Sequence, residues 1–150
     1  MRVLVQRVAE ASVTIGGRMK SRIGAGMMIL AGIEAADSDE DIEWLCNKLS
    51  KLRIFDDADG VMNLDVMQTG GEILAVSQFT LHASTRKGNR PSYVKAAPEA
   101  VSRPLYEAFV RRLSEVSGRE VRTGEFGADM QVALVNDGPV TIWIDSKNRE

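Results

Sequence analysis

"MMILAGI", residues 27–33, is an unbroken apolar run entered through Gly24 and Gly26. A run with no polar alternation is buried on both faces, so it reads as a central strand and commits the chain to a sheet-based fold. Alternating stretches supply its neighbours. Val3, Val5 and Val8, then Ala11, Val13 and Ile15, predict two strands, and Gly16-Gly17 turns the second into a hairpin with residues 18–23. Further strands are predicted over residues 72–80, 130–135 and 140–144.

Two helices fill the intervals. Ser38 is placed to cap one whose apolar positions Ile42, Leu45, Cys46, Leu49 and Leu52 follow the 3.6 period, with acids at its positive end. Ser102 is placed to cap the other, with Pro104 in the first turn, Leu105, Phe109, Leu113 and Val116 as its stripe, and Gly118 as its stop. The pattern predicts the α/β class: a mixed sheet, two main helices on one side, and a single domain over residues 1–150 without internal repeat or linker.

Composition narrows the chemistry. One cysteine, Cys46, allows no internal disulfide, and one histidine, His82, leaves no Cys/His set for zinc, so neither metal nor other cofactor is expected. The opening stretch reads as a strand rather than a signal peptide, which predicts a cytoplasmic protein. Net charge is −2, so the whole molecule does not advertise a nucleic-acid binder. Residues 85–95 nevertheless hold Arg86, Lys87, Arg90 and Lys95 without an acid. That segment reads either as a solvated loop or as a local phosphate holder.

A conventional nucleophile is hard to assemble. Ser77 lacks a nucleophile elbow, and on one strand His82 and Thr80 would both face away from it. Proton handling would then fall to backbone, water or substrate. "VNDGPVT", residues 135–141, poses a second puzzle: Asp137-Gly138 suits a tight turn, yet Pro139 lacks an N–H where a strand should begin.

"SQFTL" at 77–81 and "NDGPVT" at 136–141 together resemble the two signature motifs of the D-aminoacyl-tRNA deacylases. Similar stretches run almost end to end: "QRV" at 6–8, "ASVT" at 11–14, "LRIF" at 52–55, "MNL" at 62–64, "TRKG" at 85–88 and "FGADMQV" at 126–132. The resemblance implies a compact β/β/α fold of barrel-like layers and a cytoplasmic homodimer. It implies cleavage of the ester between a D-amino acid and the terminal adenosine of tRNA, with glycyl-tRNA as a further substrate.

It also assigns residues. Ser77, Gln78, Phe79 and Thr80 match the catalytic motif, with the Phe79 N–H as an oxyanion donor and Thr80 at a position once proposed as nucleophile. Gly138 and Pro139 match a cis peptide that each subunit inserts into the other's site as a wall against L-amino acids. Proline makes the cis form accessible, and a wall discriminates better than a missing contact. Arg7 matches a residue holding that loop through its carbonyls, Phe126 and Met130 match the adenosine pocket, and Asn136 belongs to the second motif. Arg86, Lys87 and Arg90 become candidates for contacting tRNA, with Arg111 and Arg112 as further ones. His82 departs from the family, where tyrosine is common. The terminal ribose 2′-OH is expected to help activate water, which fits the missing base. The competing readings are a non-catalytic nucleic-acid-binding dimer using residues 86–95, and a purely structural dimer.

Overall fold

The computed structural model describes residues 1–149. The central run forms β3 (Gly26–Gly32), flanked by β1 (Arg2–Ile15) antiparallel and β6 (Glu72–Ser77) parallel. Its alternate residues enter two different cores. Met27, Ile29 and Ala31 face the helices, whereas Met28 faces a second cluster with Val8, Val13, Leu74 and Val76. Burial on both faces is why the sequence shows no alternation there.

The sheet runs β2 (Arg18–Ile23), β1, β3, β6, β7 (Val121–Thr123). β2 and β3 share one edge of β1, and β8 (Gln131–Asp145) occupies the other along almost its whole length. Twist brings the path's ends together, where the Ser21 hydroxyl donates to Thr123 O at 2.8 Å and Arg122 donates to Arg22 O at 2.6 Å. The sheet is therefore a nearly closed barrel. α1 (Asp39–Ser50) and α3 (Glu99–Ser117) pack together on its outer face, burying Leu45, Cys46, Leu49, Phe109 and Leu113. Truncating a fully buried leucine such as Leu45 to alanine costs ~2–5 kcal/mol. A small hairpin, β4 (Phe55–Asp56) with β5 (Met62–Leu64), leads to the single turn α2 (Val66–Thr69).

Ser38 takes the cap position of α1, and its N–H donates to the Asp41 carboxylate at 2.9 Å. Gly118 ends α3 in the left-handed conformation, as predicted. Four expectations are corrected. Residues 3–8 and 11–15 form one strand, because irregular pairing with β8 between Gln6 and Glu10 shifts the inward parity without interrupting it. α3 begins a turn earlier, at the cap Pro98, so Ser102 lies inside it with its hydroxyl donating to Pro98 O at 3.1 Å, and Pro104 sits past the first turn. The strand predicted over residues 72–80 stops at Ser77 and turns into a 3-10 helix, Phe79–His82. The two strands predicted at 130–135 and 140–144 are one, β8, interrupted by an outward bulge.

Candidate active site

The end of β6 builds the first part of the site. The Gln78 N–H donates to Ala31 O at 2.7 Å, the last tie to β3 before the chain turns into the 3-10 helix. Gly32 makes that turn possible: a Cβ there would lie 2.9 Å from both Gln78 O and Leu81 Cβ. The turn's own bonds start with Leu81 N–H to Gln78 O at 3.3 Å, which leaves the Phe79 and Thr80 N–H groups outside them. Donors free of secondary structure at a strand end suit a developing negative charge.

A cleft of about 300 Å³ opens beside this turn, at the seam between the two cores. Ser77, Gln78, Phe79, Phe126 and Met130 all line it. Phe126 and Met130 are half-buried, each packing on one core while presenting a face to the cleft. Thr80 is absent from the lining, and its hydroxyl accepts from the Gln78 side chain at 2.5 Å. His82 is fully buried, and that burial lowers its pKa, outweighing the opposing pull of the Gly32 backbone and helped by the nearby Arg2 charge. The opposite-faces account of Ser77 and His82 thus gives way to another separation: His82 points under the turn while Ser77 lines the cleft. Cys46 is equally remote, its thiol pushed up to about 12 by burial.

The second motif forms the bulge in β8. Val8 pairs with Asn136 and Gln6 with Thr141, so Arg7 alone faces four residues, 137–140. Pro139 therefore lies where no ladder hydrogen bond is required, which answers the puzzle of its missing N–H. The Gly138-Pro139 peptide is cis, and Gly138 has φ +128°, a backbone that side chains rarely adopt. Asn136 closes the base of the bulge, accepting from Val140 N–H at 3.0 Å and donating to the Thr141 hydroxyl at 2.8 Å. Arg7 anchors it from beneath. Arg7 is 8% exposed, and its guanidinium donates to Asp137 O at 3.0 Å and Ile54 O at 2.8 Å, with Asp56 at 3.2 Å. It is no strand-surface arginine.

The structure thus brings Ser77, Gln78, Phe79, Phe126 and Met130 to one cleft. Gly138 and Pro139 form a separate exposed bulge, held by half-buried Asn136 and buried Arg7, and none of the four lines the same chain's cleft. Arg86, Lys87 and Arg90 stand on a third feature, a loop closed by reciprocal backbone bonds between Ser84 and Ser92 at 2.8 and 2.9 Å. Arg112 is tied to Glu43 and Glu115, which removes it from the free cations. Sequence reasoning missed Asp129, the one ionisable side chain lining the cleft among the described residues, although it lies inside the "FGADMQV" motif. It also missed Arg103 and Tyr106, which flank the Phe126 ring at 4.9 and 5.7 Å. Among the described residues, no group of acids, histidine or cysteine is gathered to hold a metal ion, and no helix is long and apolar enough to cross a membrane.

The chain is thus a barrel-like α/β domain with a small cleft beside backbone donors at a strand end, an arrangement suited to polarising a carbonyl. The model of the family described as D-Tyr-tRNA(Tyr) deacylase matches residues 4–145, and the chain belongs to that family. It is 63% identical to a D-aminoacyl-tRNA deacylase of Bacteroides thetaiotaomicron and 61% identical to one of Chromobacterium violaceum, each over the full length of both chains. Among solved structures it is similar to that of a c-Myc DNA Unwinding Element Binding Protein, at TM-score 0.91 and 40% identity over 97% of this chain and 98% of that one. A probable eukaryotic D-amino acid tRNA deacylase superposes at TM-score 0.82 with 18% identity, over 95% and 97% of the two chains, and shares the fold.

Proposed function

We propose that this protein hydrolyses the ester joining a D-amino acid to the terminal adenosine of tRNA, and so removes D-amino acids from translation. The observation that carries this reading is the family match across residues 4–145, which spans both the cleft and the Gly138-Pro139 loop. The adenosine enters between Phe126 and Met130, and the ester carbonyl lies at the turn, where the Phe79 N–H meets the oxyanion. Ser77 and Gln78 orient the substrate, and the terminal ribose 2′-OH helps activate water in place of a protein base.

Chirality is read by backbone. The protein acts as a homodimer in which the Gly138-Pro139 loop of each copy closes the other's cleft. Carbonyl oxygens of that loop fill the space an L side chain needs, and Arg7 keeps them in place. Glycine, with hydrogen at that position, passes, so glycyl-tRNA is a further substrate. Support for the exchange comes from the loop's exposure and its absence from its own chain's cleft.

Paired D- and L-tyrosyl-tRNA deacylation tests the reading: rapid loss of the D-ester with the L-ester intact is expected, and equal hydrolysis of both overturns the filter. Ser77→Ala and Thr80→Ala should each keep activity within about tenfold, since no acid or histidine among the described residues is hydrogen-bonded to either hydroxyl. Complete loss in either, with fold and tRNA binding intact, would mean a side-chain nucleophile. The 40%-identical structure is that of a protein named for binding DNA, which favours one second reading, nucleic-acid binding through residues 86–95 without hydrolysis. It requires salt-sensitive binding of uncharged RNA or DNA and no ester cleavage.

A further inference from the structure

Phe79 lines the cleft, yet the residue is 56% exposed, and Tyr93, 41% exposed, meets its ring edge-on with centroids 5.1 Å apart and planes at 74°. Exposed aromatic rings in contact at the mouth of a cleft mark a surface built to be covered. Their setting says by what. Tyr93 lies in the same segment as Arg86, Lys87, Arg90 and Lys95, and none of these four cations has an ion pair or hydrogen bond among the described residues. Rings beside unpaired cations are the two elements that grip single-stranded nucleic acid, the rings taking bases and the cations phosphates.

The platform is held in place before any ligand arrives. Ser84 and Ser92 pair reciprocally, Ala96 N–H donates to Tyr93 O at 3.0 Å, and Ala97 N–H donates to Ile33 O at 2.9 Å, fixing the segment's end beside β3. Little order has to be created on binding.

We propose that the Phe79–Tyr93 pair is a stacking platform for the base next to the terminal adenosine, with the four cations on the adjoining phosphates of a single-stranded RNA 3′ tail. This rests on the deacylase reading for its direction: Phe79 lines the cleft that Phe126 and Met130 also line, so a chain leaving an adenosine there on the Phe79 side meets the pair. Neither Tyr93 nor the face of the Phe79 ring is needed for the ester chemistry, which uses the Phe79 backbone.

The test compares wild type, Tyr93→Ala and Tyr93→Phe on three esters: D-tyrosyl-tRNA, the same tRNA abasic at the penultimate position, and D-tyrosyl-adenosine. Tyr93→Ala should raise KM for the intact tRNA roughly 5- to 150-fold with kcat little changed, as expected for loss of one stacked base. Tyr93→Phe should stay near wild type. The abasic substrate should cost wild type a similar factor and cost Tyr93→Ala nothing more, and the adenosine ester should not distinguish the variants. Multiplying losses, or an equal loss on the adenosine ester, overturns the platform. Failure of wild type on every ester would overturn the hydrolase reading instead. The platform is then judged by fluorescence anisotropy with an uncharged CCA-ended hairpin: it stands if removing the penultimate base weakens binding to wild type but not to Tyr93→Ala, and falls otherwise.

Discussion

The charges near the two chain ends are paired with one another, several of them buried, whereas those of residues 85–95 face outward without partners among the described residues. The α-ammonium of Met1 is buried against Asp37 and donates to the Ser146 hydroxyl at 2.8 Å, which in turn donates to Asp41 at 2.7 Å. Lys147 donates to Asp41 at 2.7 Å and to Ala36 O at 3.0 Å. Here charge holds β1, α1 and the segment after β8 together, and its field is consumed locally. On the 85–95 loop the same residue types hold nothing within the molecule, so their attraction is left for a polyanion. Arg7 stands between these cases, buried and paired like the first region, yet anchoring an exposed loop like the second.

Removing Asp41 should have the largest effect. Asp41→Ala deletes the shared partner of Ser38, Ser146 and Lys147, and urea unfolding should show a loss of about 3 kcal/mol. Burial alone would raise this carboxyl's pKa, but the hydrogen bonds from Lys147, Ser146 and Ser38 outweigh it and hold the group well below its ordinary 3.8. The unfolded chain therefore takes up the proton first. Wild type should carry this stabilisation fully above pH about 4 and lose it as the pH falls below that, while Asp41→Ala should show a flatter acid limb.

Arg7→Lys comes next, since an ammonium cannot reproduce the forked contacts to Asp137 O and Ile54 O. A loss near 2 kcal/mol is expected in unfolding, together with a smaller ratio of D- to L-ester hydrolysis. A stability loss with an unchanged ratio would mean that the anchor serves the fold alone. The triple variant Arg86→Ala, Lys87→Ala, Arg90→Ala should leave stability within about 0.5 kcal/mol of wild type. Its tRNA affinity should fall, and the slope of log affinity against log salt should flatten by roughly 0.7 for each phosphate no longer neutralised. A large drop in stability would erase the contrast between the regions.

The smallest effect concerns His82. Burial keeps its folded pKa below the ordinary 6.5, so the unfolded chain protonates first and stability should decline as pH drops below about 6.5. His82→Phe should remove that part of the decline, read as thermal midpoints across pH 5 to 7.

What is legible in the sequence is local or periodic. The doubly buried β3, the helix beginning after Ser38 and the stop at Gly118 each follow from a few adjacent residues. Legibility ends where a distant partner decides. Parity breaks before Ala11 because the pairing with β8 slips there, Val8 facing Asn136 and Glu10 facing Val135 with Ala9 as the extra residue, and the strand predicted through Thr80 ends at Ser77 because Gly32 lets the chain cross above β3. Serine prefers a cap position, which is why Ser102 reads as one, but the helix has already started at Pro98.

The site divides in the same way. Sequence alone marks both motifs, the missing base and the basic loop, since each depends on which residue types are present. Tertiary structure decides what they do to one another. It turns Thr80 out of the cleft, sinks His82 beneath the turn and brings Phe126 and Met130 across to Ser77. It also buries Arg7 under a bulge formed by residues 130 positions away. Composition and periodicity fix the kinds of groups a chain can offer, but meeting requires a register and a curvature. Those emerge only when the strands have closed on the two cores they separate.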